Sequence, residues 1–482
     1  MNKFHRLKYN EKDWEIIIGP WLFYISNIFF FYNDFSSKKY FLKKKFNSNK
    51  LNYIAPIDFN DFYALISKYE FYINYFFKHE INSFNISYKK ITKMNENSFF
   101  KKYLNFFTKK ISSDKTIIFN SLKISKIDTF KIILFNLFKF LPLYSKDLVK
   151  KSTKIENSKI RKIFFSKLMK KNFVEKKLLH LLMHTMPSTY LENFSIIKNY
   201  IYSNFPRSNY YLTEGSYVND DFFKINCFLS EKKNLNIIQH GGNMRLYKKN
   251  FHDFLENRIS NKILVWGKKK AFKKEIYFPS TRLNKFKKNF INNEIAKYKY
   301  CIILEPVRKF NINFFKINSP IKDLTEIVQF FKNLNEKSFS IKLHYEKKNS
   351  NIISQKEISK TCKIKKSYFA KDFSDVLKSE LVIFNYFSTM IFELLQINKP
   401  FVIIVKREDH FFSKFGQNFV NELKQNQILF DNIQEFGKFI RKKNLRMWWQ
   451  SKKNQNFLKK IKINYSLIDD NFSFNKLIKE IC

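Results

Sequence analysis

From residue 209 onward the chain alternates short apolar runs of strand length with amphipathic stretches of helix length. One series has runs at 210–212, 235–239 and 263–266, with a helix at about 220–232. A second has runs at 300–304, 339–343, 362–365, 381–384 and 401–405, interleaved with helices near 323–334, 372–378 and 388–397. Such alternation marks βαβ units, because parallel neighbours need a crossover long enough to hold a helix. Two series predict an α/β protein with two Rossmann-like domains facing across a cleft. In open sheets of this kind ligands gather beyond the carboxyl ends of the strands, so the residues that follow each run carry the functional reading.

The preceding 170 or so residues are rich in aromatics and read mainly as helices, at 21–35, 61–78 and 129–143, ahead of a basic stretch at 146–171. No repeat of fixed period stands out. The polar, basic stretch 268–297 has no clear strand and reads as an interdomain connection. The expected organisation is therefore a helical plus Rossmann-like acceptor-side domain at 1–275, a linker at 276–298, and a Rossmann-like nucleotide-donor domain at 299–482. An apolar stretch at 16–32 follows Lys3, Arg6 and Lys8, as a signal or anchor would. Its length is at the lower limit for a span, Gly19-Pro20 interrupts it, and Ser26 and Asn27 sit near its middle; the expectation is a buried helix.

Composition limits the function classes. With 44% hydrophobic residues the chain has ample material for cores, which excludes disorder as a description of the whole, and 482 residues exceed what one core usually supports. The formal charge of +49 would ordinarily point to nucleic acid or an anionic membrane. Here the lysines are spread rather than clustered. They accompany an excess of Asn, Ile and Phe and only 7 Gly and 9 Pro, the pattern an AT-rich genome imposes. Specific nucleic-acid binding is therefore not expected, and contact with a membrane surface stays open. Cys227, Cys301, Cys362 and Cys482 form no C-x-x-C pair, so neither a zinc site nor a disulfide framework is indicated, and a reducing, cytoplasmic location fits.

Against so few glycines, the adjacent pair Gly241-Gly242 is informative: random placement would give roughly 0.1 such pairs in the chain. The pair follows Gln239-His240 at the end of a predicted strand, where glycine allows positive φ or close approach of a ligand. His240 would project into the cleft as a general base for an attacking hydroxyl; the alternative is a histidine that caps a tight turn. A second constellation lies at 381–400, LVIFNYFSTMIFELLQINKP. A strand ends at Asn385, and Ser388 and Thr389 open a helix whose first N–H groups suit a phosphate, with Glu393 one turn in to accept ribose or sugar hydroxyls. An N-capped helix with an exposed Glu is the plain alternative. Third, the strand Ser340-Ile341-Lys342-Leu343-His344 ends in two cationic groups, Lys342 and His344, that could neutralise a diphosphate or simply face solvent.

Other patterns exclude chemistry. His180 and His184 have helical i, i+4 spacing but lack the glutamate of H-E-x-x-H. The sequence has no Walker A loop, no G-x-G-x-x-G and no Asp-x-Asp. No metal site and no cofactor are expected.

These residues together resemble a transferase family of bacterial O-antigen and surface-polysaccharide loci, GT-B-like in fold. The resemblance rests on WEIIIGPWL at 14–22, MPSTYLE at 186–192, QHGG at 239–242, ENRISNKILVWG at 256–267 and the 381–400 block. More distantly, the His-Gly pair and the Ser-Thr helix start are similar to those of teichoic-acid glycerophosphotransferases. That likeness implies His240 as base and Ser388 and Thr389 as phosphate ligands. Asn261 stands where the family has an acidic residue, and Lys342 where it has arginine, which leaves a point charge in place of a bidentate clamp. The family also carries a segment before WEIIIGPWL that this chain largely lacks.

The reading that results is a metal-independent transferase with a nucleotide-activated sugar or polyol donor and a carbohydrate acceptor, which can be lipid-linked. Gly241, Gly242, Lys342, His344, Ser388, Thr389 and Glu393 would bind the donor, and His240 would catalyse. The alternative is a non-catalytic basic protein that binds nucleic acid or a membrane surface.

Overall fold

The computed structural model describes residues 1–5, 8, 10–33, 53–68, 86–96, 99–122, 126–145, 148–169, 176–248, 250–290, 296–305, 320–334, 338–343, 355–363, 365–370, 372–469 and 474–481. The strands are β1 (Tyr53–Ala55), β2 (Ile86–Glu96), β3 (Ile117–Asn120), β4 (Phe140–Pro142), β5 (Leu148–Asn157), β6 (Tyr210–Thr213), β7 (Asn234–Ile238), β8 (Lys262–Val265) and β9 (Glu275–Tyr277). They continue with β10 (Tyr298–Leu304), β11 (Phe339–Leu343), β12 (Ser379–Phe384), β13 (Phe401–Ile404) and β14 (Leu429–Phe430). The fold is mixed α/β with two parallel sheets, one of six strands in the order β4-β3-β6-β7-β8-β9 and one of five in the order β11-β10-β12-β13-β14. A third, small sheet has the order β1-β2-β5.

The central strands of the five-stranded sheet are apolar over most of their length, with polar residues such as Lys299 and Glu380 near their starts. Ile302, Leu381, Val382, Ile383, Phe384, Val402 and Ile403 are fully buried, as parallel strands require. The strand order reverses at β10, whose neighbours are β11 on one side and β12 on the other. The ends of β10 and β12 are tied by Glu305 N–H, which donates to Asn385 Oδ1 at 2.7 Å. A reversal of this kind leaves a crevice at the carboxyl ends, where open sheets bind ligands.

The chain forms two compact units, residues 1–238 with 255–262 and 474–482, and residues 239–254 with 263–473. In the first, the Glu11–Asn33 helix buries Trp14, Ile17, Trp21 and Ile25, as the interrupted apolar stretch predicted. Trp14 packs on Phe194 and Phe228 with ring centroids 5.8 and 4.8 Å away, and Asn2 Oδ1 accepts its indole N–H at 2.7 Å. Among the described residues no helix is long and apolar enough to cross a membrane.

The MPSTYLE segment is structural. Arg161, wholly buried, donates from Nε to Glu192 Oε1 and from Nη2 to Oε2, both at 2.8 Å, and from Nη1 to the carbonyls of Met183 and Met186. Asp221 accepts from Phe59 N–H, the Thr189 and Tyr190 hydroxyls and, at 2.7 Å, the ammonium of buried Lys224. Burial lowers the pKa of Lys224, and Asp221 opposes that shift. Charges this deep persist only when each lone pair and proton has a partner, so removal of one member would strand the other.

Two sequence expectations change and one gains an exception. The first 170 residues are mainly helical among those described, but they also hold a sheet: β2 and β5 pair antiparallel from Ser87↔Asn157 to Glu96↔Leu148, and β5 opens the basic stretch. Lysine recurs in β2 and β5 as it does in the neighbouring helices, so no apolar period marks this sheet. The 362–365 run is no strand, because Cys362 ends the Gln355–Cys362 helix, where it and Ile358 are the buried i, i+4 pair. Lys363 follows at φ 49°, the left-handed residue that closes a helix. The stretch 268–297 carries β9, parallel to β8, and the Thr281–Asn289 helix, capped by Ser280 and anchored by Leu283 and Phe286.

Candidate active site

The QHGG turn is built by its glutamine. Gln239, buried, donates from Nε2 to Gly241 O at 3.0 Å, which closes the turn on itself. Its Oε1 accepts Trp266 N–H at 3.1 Å and Arg245 Nη2 at 3.0 Å. Arg245, at φ 68°, is itself held by Glu275 at 3.4 Å, lies 4.6 Å from the Phe415 ring centroid, and donates its backbone N–H to Asp253 Oδ2 at 2.7 Å. Burial lowers the pKa of Arg245, against the attraction of Glu275 and Asp253. Burial raises the Asp253 carboxyl to about 7, although the Arg245 N–H and charge pull the other way.

The two glycines have a steric cause. Among the described residues no glycine has positive φ, so of the two freedoms glycine offers the left-handed one is not used here. Close approach is what glycine supplies, and the surface approached is a helix. A Cβ on Gly242 would lie 2.4 Å from Phe392 Cδ2 and 3.1 Å from Thr389 Cα. Gly242 N–H donates to Thr389 Oγ1 at 3.0 Å. The turn that carries His240 thus rests on the first turn of the Thr389–Gln396 helix, within one compact unit. Facing walls of a cleft had been expected for these two motifs; the structure joins them directly.

Ser388 is the N-cap of that helix: its Oγ accepts Met390 N–H at 3.2 Å. Both hydroxyls expected to meet phosphate therefore have structural roles, the Ser388 oxygen toward its own helix and the Thr389 oxygen toward Gly242. Each keeps a hydroxyl proton to donate. Glu393 is not an exposed helix residue. It is 8% accessible, and Arg282 contacts its Oε1 at 2.8 Å through both Nε and Nη2. Lys342 stands near the carboxyl end of β11 opposite Ile303 of β10, on the other side of β10 from β12. His344 lies outside the described residues.

His240 is half-buried and its ring meets that of His252 edge-on, centroids 4.8 Å apart. His252 belongs to the Phe251–Ile259 helix, with Glu256 one turn further along the same helix. Glu256 is buried and accepts the Tyr217 hydroxyl. Sequence reasoning missed His252, Arg245 and Arg282. His252 sits outside any recognisable spacing with His240, Arg245 has no local pattern, and Arg282 was hidden because its helix had been taken for a linker. The three described cysteines are buried and free, with thiol pKa values raised by burial, so they are chemically quiet.

The structure therefore presents an α/β protein whose histidine turn is seated on a capped helix beside a sheet's point of reversal. Comparison with known proteins supplies the class. The profile of the LIC12162 family transferase matches residues 1–481, and the chain belongs to that family of transferases. No curated protein matches the chain. Among solved structures it is similar to the wall teichoic acid polymerase TagF, with 13% identity, a TM-score of 0.35, and coverage of 79% of this chain and 93% of that one. It is also similar to Acinetobacter baumannii MurG, with 9% identity, a TM-score of 0.33, and coverage of 72% and 99% respectively.

Proposed function

We propose that this transferase is glycosyltransferase-like: it moves a sugar or polyol group from a nucleotide-activated donor to an acceptor hydroxyl in surface-polysaccharide or O-antigen synthesis, at the cytoplasmic side of the membrane. The observation that carries the reading is the seating of the QHGG turn on the N-terminus of the Thr389–Gln396 helix through Gly242 and Thr389. It places an imidazole-bearing turn against a helix start, where N–H groups and the positive end of the dipole favour a phosphate.

In this mechanism His240 takes the proton of the acceptor hydroxyl as that oxygen attacks the donor carbon or phosphorus. The bond to the nucleotide's phosphate breaks and its electron pair stays on the departing oxygen. The helix start, the hydroxyl protons of Ser388 and Thr389, Lys342 and His344 stabilise that charge, and Gly241 and Gly242 let the turn come close. Glu393, fixed by Arg282, accepts ribose hydroxyls. No metal ion is assigned a step.

A thermal-shift screen of the full chain against nucleotides and nucleotide-sugars, with and without EDTA, tests this. A donor present at ~100 times its dissociation constant adds roughly 2.7 kcal/mol of stability. A metal-independent donor site predicts the same shift in EDTA; the absence of any nucleotide response would overturn the reading.

A further inference from the structure

In two neighbouring segments of the first unit the expected burial is inverted. On the Phe99–Ile111 helix, Asn105 and Thr108 are buried while Tyr103, Phe106 and Phe107 are 60%, 53% and 41% exposed. This is no slip of register: Asn105 donates from Nδ2 to Tyr144 O at 2.9 Å, and its Oδ1 accepts Tyr144 N–H at 3.1 Å. The same inversion recurs after the Lys126–Phe135 helix. Asn136 is buried and donates to Ile132 O at 2.7 Å, whereas Phe135 and Leu137 on either side are 77% and 78% exposed. Leu137 and Phe138 hold φ of 47° and 59°, a left-handed conformation that costs a branched or aromatic residue free energy and here turns apolar side chains outward. Phe107 and Phe138 meet edge-on with centroids 6.2 Å apart, so the two segments make one continuous face.

The rim of this face is cationic. Lys102, Lys110, Lys131 and Lys139 are exposed, and Lys110 Nζ lies 4.8 Å from the Phe106 ring centroid. Residues 99–111 contain no Asp or Glu, and residues 126–139 contain one, Asp128, against Lys126, Lys131 and Lys139. A monomeric protein rarely exposes so many aromatics together without a partner. A second copy of this chain would bring the same lysines against each other. An anionic bilayer accepts both features, the rings at the depth of the headgroups and the ammonium groups on the lipid phosphates.

We propose that this face docks the protein on an anionic lipid bilayer. The proposal stands whatever group the enzyme transfers. It is tested by co-sedimentation of the full chain with vesicles of phosphatidylcholine alone and of phosphatidylcholine containing about a third phosphatidylglycerol. The native chain should bind the anionic vesicles and bind the neutral ones far more weakly. The pair Phe135→Ser/Leu137→Ser should lose about 10-fold in that binding, and Lys131→Glu/Lys139→Glu a similar amount, with melting temperature unchanged because all four side chains are exposed. Lys452→Glu/Lys453→Glu, exposed lysines of the other unit, controls for general charge and should lose little. Equal losses in the control and the Lys131/Lys139 pair, or native binding by the Phe135/Leu137 pair, would overturn the proposal. So would a native dimer that the Phe135/Leu137 pair converts to monomer in sedimentation velocity without any vesicle binding.

Discussion

The backbone N–H of Gly242 donates to the hydroxyl of Thr389 at 3.0 Å, across 147 residues of sequence. Gly242 has no space for a side chain there. A methyl group would meet Phe392 at 2.4 Å and the Thr389 backbone at 3.1 Å, so the turn or the helix must shift. Gly242→Ala should therefore cost about 1 to 3 kcal/mol of stability and impair activity together, as overpacking does. At Gly241 the nearest obstacle is the Asn243 side chain at 3.1 Å, which can rotate away. Gly241→Ala should be milder in both respects. Urea melts of the two variants decide; equal losses would mean that contact with the helix is not what selects glycine.

His240→Ala should abolish turnover while donor binding and melting temperature stay near native. A general base contributes roughly 10² to 10⁴ in rate, so the loss should appear in the chemical step. If the variant keeps more than about a tenth of the native rate with a verified donor and acceptor, another group is the base.

How much of this was legible beforehand differs by region, for physical reasons. The parallel strands announced themselves where burial on both faces makes them apolar, as at 381–384 and 401–404; 339–343 matches β11 at both ends although Ser340 and Lys342 interrupt it, and the Ser388 cap marks the start of its helix. The glycine pair was also legible, as a position where a Cβ is forbidden, but sequence could not say what approaches it. Nothing local marks Arg282, whose partner Glu393 lies 111 residues away, or His252, which stands on a different element from His240 at no helical or strand spacing from it. In the first 170 residues the cues were diluted by lysine and phenylalanine, which here stand on both strands and helices, inside and outside.

Arg282 and Glu393 form a pair in which both guanidinium contacts fall on one carboxylate oxygen. If Glu393 receives the ribose, Glu393→Ala should weaken nucleotide-donor binding by roughly 1 to 3 kcal/mol. Arg282→Ala should weaken it less, because the carboxylate remains but is no longer held in place. Calorimetry on both variants separates this from a purely structural pair, for which stability would fall and affinity would not.

Asp253 gives the fold a pH dependence of definite sign. Burial raises its carboxyl pKa from 3.8 to about 7 in the folded chain. The folded state therefore holds a proton that the unfolded state has released across that interval. The favourable contribution is complete below the unfolded value, declines as the pH rises, and is gone above about pH 7, where folding must bury a charged carboxylate. Asp253→Asn removes the titration but keeps an oxygen to accept the Arg245 N–H. The difference in melting temperature, variant minus native, should thus grow between about pH 4 and pH 7 and level off above. A difference that is flat across this range would show that Asp253 is already ionised at low pH in the folded chain, with Arg245 and Glu275 compensating its charge. A difference that shrinks would reverse the sign, and with it the conclusion that desolvation outweighs the attraction of Arg245 at this carboxyl.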